Sequence, residues 1–513
     1  MLRLARIASM TPLLLMALAS ASAADSPTTG GVGTQSGTVA NPATGSDRTQ
    51  SGTVANPATV GERAQSETPA RQAYGAPKNP AVGDPVDADV SKPLSLDRAI
   101  RIGLQEQNSI ALSKTQVDSA KARLTQAKSN WYPRVTPSYQ YQSNFASGRA
   151  GSGTSQSHST SITARQTLYD FGKRGANVSL SRHSLSAAEY GVGDQRQDVI
   201  LAVTEAWYAL LRNRDLMRVQ VEAVRRATTN LEAIRAEIEA ETSAKSDALQ
   251  FEADLATAEV NRLQAQNTLD ISEARLKNAM GIVYSGPLAI PDAPAAMPAP
   301  SEAMSLEKLV DQAYGTRLDV KRQAERIRVQ QDSLRVTRLN NGVSITADLA
   351  ETYRLEPHSG EDRQFNLSIS YPLFNGGASK AAIQESQAQL EAEKRNLDAL
   401  QQNVRFNLEQ SFLSREQSRR RYAAAGTALE AARKNYEVAV EKRKNDLFNV
   451  LDVINVESQL VNAEVNAVQA IYDFFVADAQ LTRDLGANDP DYAPLLPDAG
   501  AFRITTPAPA GRP

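Results

Sequence analysis

The residue types able to do chemistry are few and scattered. His158, His183 and His358 lie far apart, with two expected in loops and one on a helix. There is no cysteine to act as nucleophile, thiolate ligand or disulfide partner. Asp and Glu are plentiful but spread along amphipathic runs, the pattern expected of solvated helix faces. No nucleotide loop of the GxxxxGK[ST] type occurs. Catalytic, cofactor-binding and metal sites are therefore not expected. The carboxylates that stand out are Asp247 and Asp452, each at the start of an expected helix, with Gln250 and Asn455 one turn on along the same face. Repeated by symmetry, such carboxylates would attract cations and repel one another. A single Asp near a helix start also caps free backbone N–H groups, and the two roles are compatible.

Those two aspartates are related by an internal repeat. The pairs Gly172/Gly377, Asp247/Asp452 and Gly281/Gly486 keep one offset, since 377 − 172, 452 − 247 and 486 − 281 all equal 205. Val199, Val203 and Trp207 fall opposite Val404, Leu408 and Phe412 in the same register. The chain is thus expected to be one architecture built of two similar halves.

Each half reads as half helix, β-hairpin, long helix, half helix. Helices are expected over about 94–130, 172–240 and 246–281, then over about 305–340, 377–445 and 450–486. Neither Gly nor Pro lies between Asp194 and Met280 or between Thr427 and Leu485, and small residues such as Ala202, Ala206 and Ala209 suit coiled-coil packing. Each long helix would reach about 100 Å, and the two short helices together roughly match it. Stacked end to end beside the long one, they would make a uniform wall.

Between the helices the period changes to two. Trp131, Val135, Pro137, Tyr139 and Tyr141 alternate with Arg134, Thr136, Ser138, Gln140 and Gln142. A Gly/Ser loop, Ser147 to Ser157, then leads to a strand at about 159–169. In the second half Val343, Ile345, Ala347, Leu349 and Tyr353 share a face broken by Glu351, and Phe365, Leu367, Ile369 and Tyr371 share another after a turn at Glu356 to Asp362. Strands of about 10 to 12 residues match the span of a tilted transmembrane β-strand. Trp131, Tyr132, Tyr169, Phe171, Tyr371 and Phe374 stand near the strand ends, where an interfacial girdle would lie, and Gly172, Gly376 and Gly377 mark the strand-to-helix junctions. Arg134, Gln140, Asp348 and Arg354 fall on the opposite, lumen-facing side. Four strands cannot close a barrel, and open edges in lipid leave backbone groups unsatisfied. Several copies must share one: two would supply about eight strands and three about twelve.

The fold class is therefore mainly α with a membrane β-barrel portion completed by oligomerisation. Arg3 and Arg6 before the apolar run Leu13 to Leu18, with Ala21-Ser22-Ala23 following, are read as a signal peptide over 1–23. Residues 24–92, rich in Gly, Pro, Ser, Thr and Ala and too poor in apolar surface to fold against, are expected to be a disordered extension, in which TQSGTVANPAT occurs at both 34–44 and 49–59. The first repeat spans 93–286, a Pro/Ala-rich linker 287–302, the second repeat 303–487 and a disordered tail 488–513. Net charge is −2, which offers no attraction to nucleic acid.

From about Leu94 to Gly486 the chain resembles the TolC family of Gram-negative outer-membrane channel proteins. The resemblance is carried by LSLD and MSLE at 94 and 304, the two strand-to-glycine junctions, DVIN at 452–455 and the closing Leu-Gly at 485–486. It implies a homotrimer with a twelve-stranded barrel in outer-membrane lipid and a helical tunnel through the periplasm. It also implies a periplasmic adaptor (membrane fusion) protein and an inner-membrane transporter as partners, in efflux or type I secretion. By the same resemblance Asp247 and Asp452 would ring and constrict the periplasmic entrance, with Gln250 and Asn455 beside them. Asn455 departs from the second Asp frequent in the family. A periplasmic coiled-coil adaptor or scaffold is the alternative; an adaptor would need compact β-domains for which the strands are too few, and a scaffold would extract without detergent.

Overall fold

Glycine in the left-handed region starts both long helices. Gly172 and Gly377 sit at φ 87° and 89°, which L side chains rarely adopt, and Gly376 beside the second has φ 65°. The chain leaves each strand pair there and turns into 67 residues of uninterrupted helix, α3 Lys173–Glu239 and α7 Ala378–Lys444. Gly175, Gly191 and Gly193 fall inside α3 without ending it. The structure, a computed structural model, describes residues 93–148, 151–241, 244–290, 305–356, 359–445, 447–487 and 489. The expected leader and extension over 1–92, most of the linker and most of the tail lie outside the described residues.

The other helices are α1 Leu96–Glu106, α2 Asn108–Ser129, α4 Lys245–Met280, α5 Leu306–Thr316, α6 Leu318–Leu339 and α8 Val450–Asp484. The expected single helices at 94–130 and 305–340 are each two, broken at Gln107 and Arg317, whose ψ values of 118° and 129° are extended. Packing causes the breaks, since neither position is Gly or Pro. Gln107 Nε2 donates to the carbonyls of Asn278 and Ala279 at the end of α4, at 3.3 and 3.2 Å. Arg317 Nη1 donates to the Asp484 carbonyl at the end of α8, at 3.0 Å. Each break is a joint where two short helices meet beside a long one, with the C-terminal carbonyls of one satisfied by the other. The closeness requires glycine: a Cβ on Gly281 would stand 2.8 Å from Gln107 Cα, and one on Gly486 3.1 Å from Arg317 Cα.

The packing keeps the internal repeat. Val199, Val203, Trp207 and Leu276 lie in one core cluster with Leu94, Leu210, Met280 and Tyr472. Val404, Leu408 and Leu481 lie in a second with Leu309, Val310 and Val320, and Phe412 packs against it. A third cluster near the helix turns joins both halves through Leu231, Ile234, Phe251 and Val450. Across the wall, α3 packs on α2 and α4 to one side and on α6 and α8 to the other, with α7 beyond them. The first linker residues are packed as well: Leu94 N donates to Ala289 O at 2.7 Å, and Arg214 Nη1 to Ile290 O at 3.0 Å. Asp489, placed in the expected disordered tail, pairs with Arg196 at 2.7 Å.

The strands are β1 Arg134–Gly148, β2 Gly151–Tyr169, β3 Ser344–Glu356 and β4 Gly360–Ser370, in one antiparallel sheet of order β1-β2-β3-β4. The first hairpin is longer than expected. The Gly/Ser stretch read as a loop is strand, and the ladder continues to Gly148 opposite Gly151. Its backbone groups pair whatever the side chains are. β2 and β3 join the two halves, and among the described residues β1 and β4 are edges without a second neighbour.

Candidate functional site: a two-faced sheet and a helical tip

The register decides which side chains share a face. Val135 lies opposite Ala164, which lies opposite Leu349, which lies opposite Phe365. The same side carries Pro137, Tyr139, Ile162, Ala347, Leu367 and Ile369. Tyr139, Phe365, Leu367 and Ile369 are 62, 69, 52 and 67% exposed, an apolar band left uncovered among the described residues. Glu351 interrupts it, but Arg363 Nε donates to Glu351 at 3.0 Å and Tyr353 Oη at 2.7 Å. The other face is polar. Ser138 and Ser161 hydroxyls meet at 2.7 Å, Arg165 Nε donates to Asp348 at 2.5 Å, and Arg134, Gln140 and Arg354 fall on this side. One face suits hydrocarbon and the other water.

At the helix end of the sheet Trp131, Tyr132, Tyr169, Phe171, Tyr371 and Phe374 are all exposed. Arg174 fixes the first junction: its guanidinium lies 4.4 Å over the Trp131 ring, pairs with Asp170 at 3.0 Å and donates to the Thr167 carbonyl at 2.8 Å. Nothing would touch a Cβ on Gly172, Gly376 or Gly377, so the need for glycine there is conformational alone.

At the far end the hairpins α3/α4 and α7/α8 turn back. Asp452 belongs to a capping box: its backbone N–H donates to Asn449 Oδ1 at 2.8 Å, and Asn449 N–H donates to Asp452 Oδ2 at 3.0 Å. Asp247 makes no cap. The Ala244 side chain offers no acceptor, and among the described residues Asp247 accepts from the Ser246 hydroxyl, at 3.3 Å. Gln250 is half-buried and Asn455 exposed. The structure thus has all four expected residues near the helix turns and splits the aspartates, Asp452 bonded to the backbone and Asp247 to the Ser246 hydroxyl. In the charged run before the second turn, Arg443 donates to Glu237 across the two hairpins at 2.7 Å and Lys442 Nζ lies 4.7 Å over the Phe448 ring. Glu441 and Lys444 remain on the wet face.

Two expectations about titratable groups are corrected. His158 is in strand β2, not a loop, with Nδ1 2.7 Å from the Tyr139 hydroxyl, and the half-buried His183 meets Glu325 at 2.7 Å; His358 lies outside the described residues. Carboxylates are not confined to wet faces either. Glu189, Asp194, Glu325, Glu457 and Asp484 are buried. Sequence reasoning missed them, although Val453, Glu457 and Leu460 share one stripe at helical spacing. Among the described residues no group of three or more His, Asp or Glu is arranged to hold a metal ion, and no helix is long and apolar enough to cross a membrane.

A two-faced sheet on a stalk of long paired helices is the architecture of an outer-membrane channel protein. Comparison with known proteins agrees. The family model described as outer membrane efflux protein matches residues 99–282 and 309–487, one match per half. The outer membrane efflux protein BepC of Brucella suis biovar 1 is 23% identical over 373 residues, covering 70% of this chain and 78% of that protein. The outer membrane protein TolC of Vibrio cholerae is 24% identical over 394 residues, covering 72% and 86%. Among solved structures, the Campylobacter jejuni CmeC outer membrane channel superposes with a TM-score of 0.66 at 14% identity, covering 77% and 86% of the two chains. The chain belongs to the outer membrane efflux protein family, its sheet in the outer membrane and its helices on the periplasmic side.

Proposed function

We propose that three copies assemble with β1 of each beside β4 of the next, giving a twelve-stranded barrel that continues into a tube of helices. The observation that carries this reading is the sheet itself, apolar on one face, polar on the other and unpaired at both edges. In lipid those edges must be satisfied, and a second copy offers a complementary one. The complex is a passive duct without catalysis of its own. Substrates enter from an inner-membrane transporter through a periplasmic adaptor, in efflux or type I secretion, and the transporter supplies the energy.

Asp247, Gln250, Asp452 and Asn455 line the narrow periplasmic end, where facing carboxylates hold cations and restrict flow. Reconstituted in a planar bilayer, the native protein gives a low, steady, cation-selective conductance. The Asp247→Ala/Asp452→Ala variant conducts more. Asp452→Asn alone keeps a side-chain acceptor for the Asn449 N–H, so it lowers cation selectivity without the ~1 kcal/mol cost of losing the cap. Native conductance and selectivity in both variants would leave Asp452 a helix cap only and remove Asp247 from the constriction.

A further inference from the structure

Back from the tip, a half-buried polar cluster around the buried Glu457 joins the two hairpins. α3 contributes Arg226 and Asn230, α4 Asp254, α7 Tyr436, and α8 Glu457 and Glu464. Glu457 is 5% exposed. Asn230 Nδ2 donates to its Oε2 at 2.8 Å, and Arg226 Nε stands 3.4 Å from its Oε1 without forming a hydrogen bond. Arg226 turns its Nη2 to Glu464 instead, at 3.0 Å. Two carboxylates thus share one guanidinium, and the more buried of them, Glu457, has the poorer geometry to it.

Burial, and then the charge of Asp254, push the Glu457 carboxyl up to about 7, against the pull of Arg226 and Asn230. Burial pushes Asp254 up as well, and burial and then the Glu457 charge push up the Tyr436 hydroxyl. The repeat supplies an internal control. Glu252 is the counterpart of Glu457 at the same offset, 457 − 252 = 205, yet it is exposed and pairs with Arg235 at 2.7 Å.

We infer that Glu457 is a proton-responsive clamp between the hairpins: protonated, it seals α8 against α3 and α4, and ionised, it loosens them, so that acid tightens the tip and neutral pH frees it. The carboxyl is charged in the opened tip above its ordinary value of 4.5 and in the packed tip only above about 7. The clamp is therefore complete below about pH 4.5 and lost as pH rises through about 7. It rests on the packing of the hairpins and not on the channel reading.

Hydrogen exchange of the full-length protein in lipid nanodiscs, corrected for intrinsic rates, tests it in peptides covering 226–238 and 450–464. Titration near 4.5 opened and near 7 packed predicts that protection falls about thirty-fold between pH 5.5 and pH 8. Glu457→Gln holds protection flat over that range, Glu252→Gln keeps the native response, and Asp254→Asn moves the midpoint to lower pH. A native slope in Glu457→Gln, an unmoved midpoint in Asp254→Asn, or a flat response in the unaltered protein would overturn the clamp.

Discussion

Leu367→Arg is expected to strip the assembled protein from the outer membrane, while Ser368→Arg, one residue further, leaves it at native abundance. Leu367 lies on the apolar face beside Ala347, in the band of Leu349, Phe365 and Ile369, and Ser368 faces Thr346 on the polar side. An arginine at the bilayer midplane costs roughly 2–4 kcal/mol, and in an oligomer every subunit bears that cost. Since the pleat alternates with period two, the same charge one position along points into water. Heat-resistant oligomer in isolated outer membranes reads the contrast directly. Equal loss in both variants would show that the two faces are not divided between lipid and water.

The other large effect sits at the joint between α5 and α6. Arg317 is 5% exposed, grips Asp319 with Nε and Nη2 at 3.0 and 2.7 Å, and reaches the Asp484 carboxylate at 3.5 Å. Arg317→Ala leaves buried carboxylates and a helix-end carbonyl without their donor, a loss of about 3–5 kcal/mol. Hydrogen exchange over 310–325 and 478–487 should accelerate more than a hundredfold, with Arg317→Lys in between because it keeps the charge but not the fork. Burial alone would raise the Asp319 carboxyl, but the hydrogen bonds and charge of Arg317 outweigh it and hold it below its ordinary 3.8. That contribution is present above pH 3.8 and lost as pH falls through the lower folded value, so the variant should also lose acid sensitivity there. Unchanged exchange in Arg317→Ala would mean that the joint is held by apolar packing alone.

The repeat and the two periods were legible because both are local. Val199, Val203 and Trp207 pack as their spacing requires, and so do their counterparts 205 residues on. The breaks at Gln107 and Arg317 were not, because each is made by the end of a helix more than 160 residues away in sequence. The Gly/Ser stretch at the tip of the first hairpin misled because turn-forming composition says nothing of a ladder already in register below it. At the periplasmic end Asp452 could be read as a cap from its position alone. The burial of Glu457 follows from the opposing hairpin, which the sequence of α8 does not contain.

Completion of the barrel by sister copies is the step on which the channel function depends, and native mass spectrometry of detergent-extracted outer membranes tests it most directly. A single species of three chains, appearing only in the detergent extract, is expected. A monomer, or protein recovered in the aqueous fraction without detergent, would contradict it.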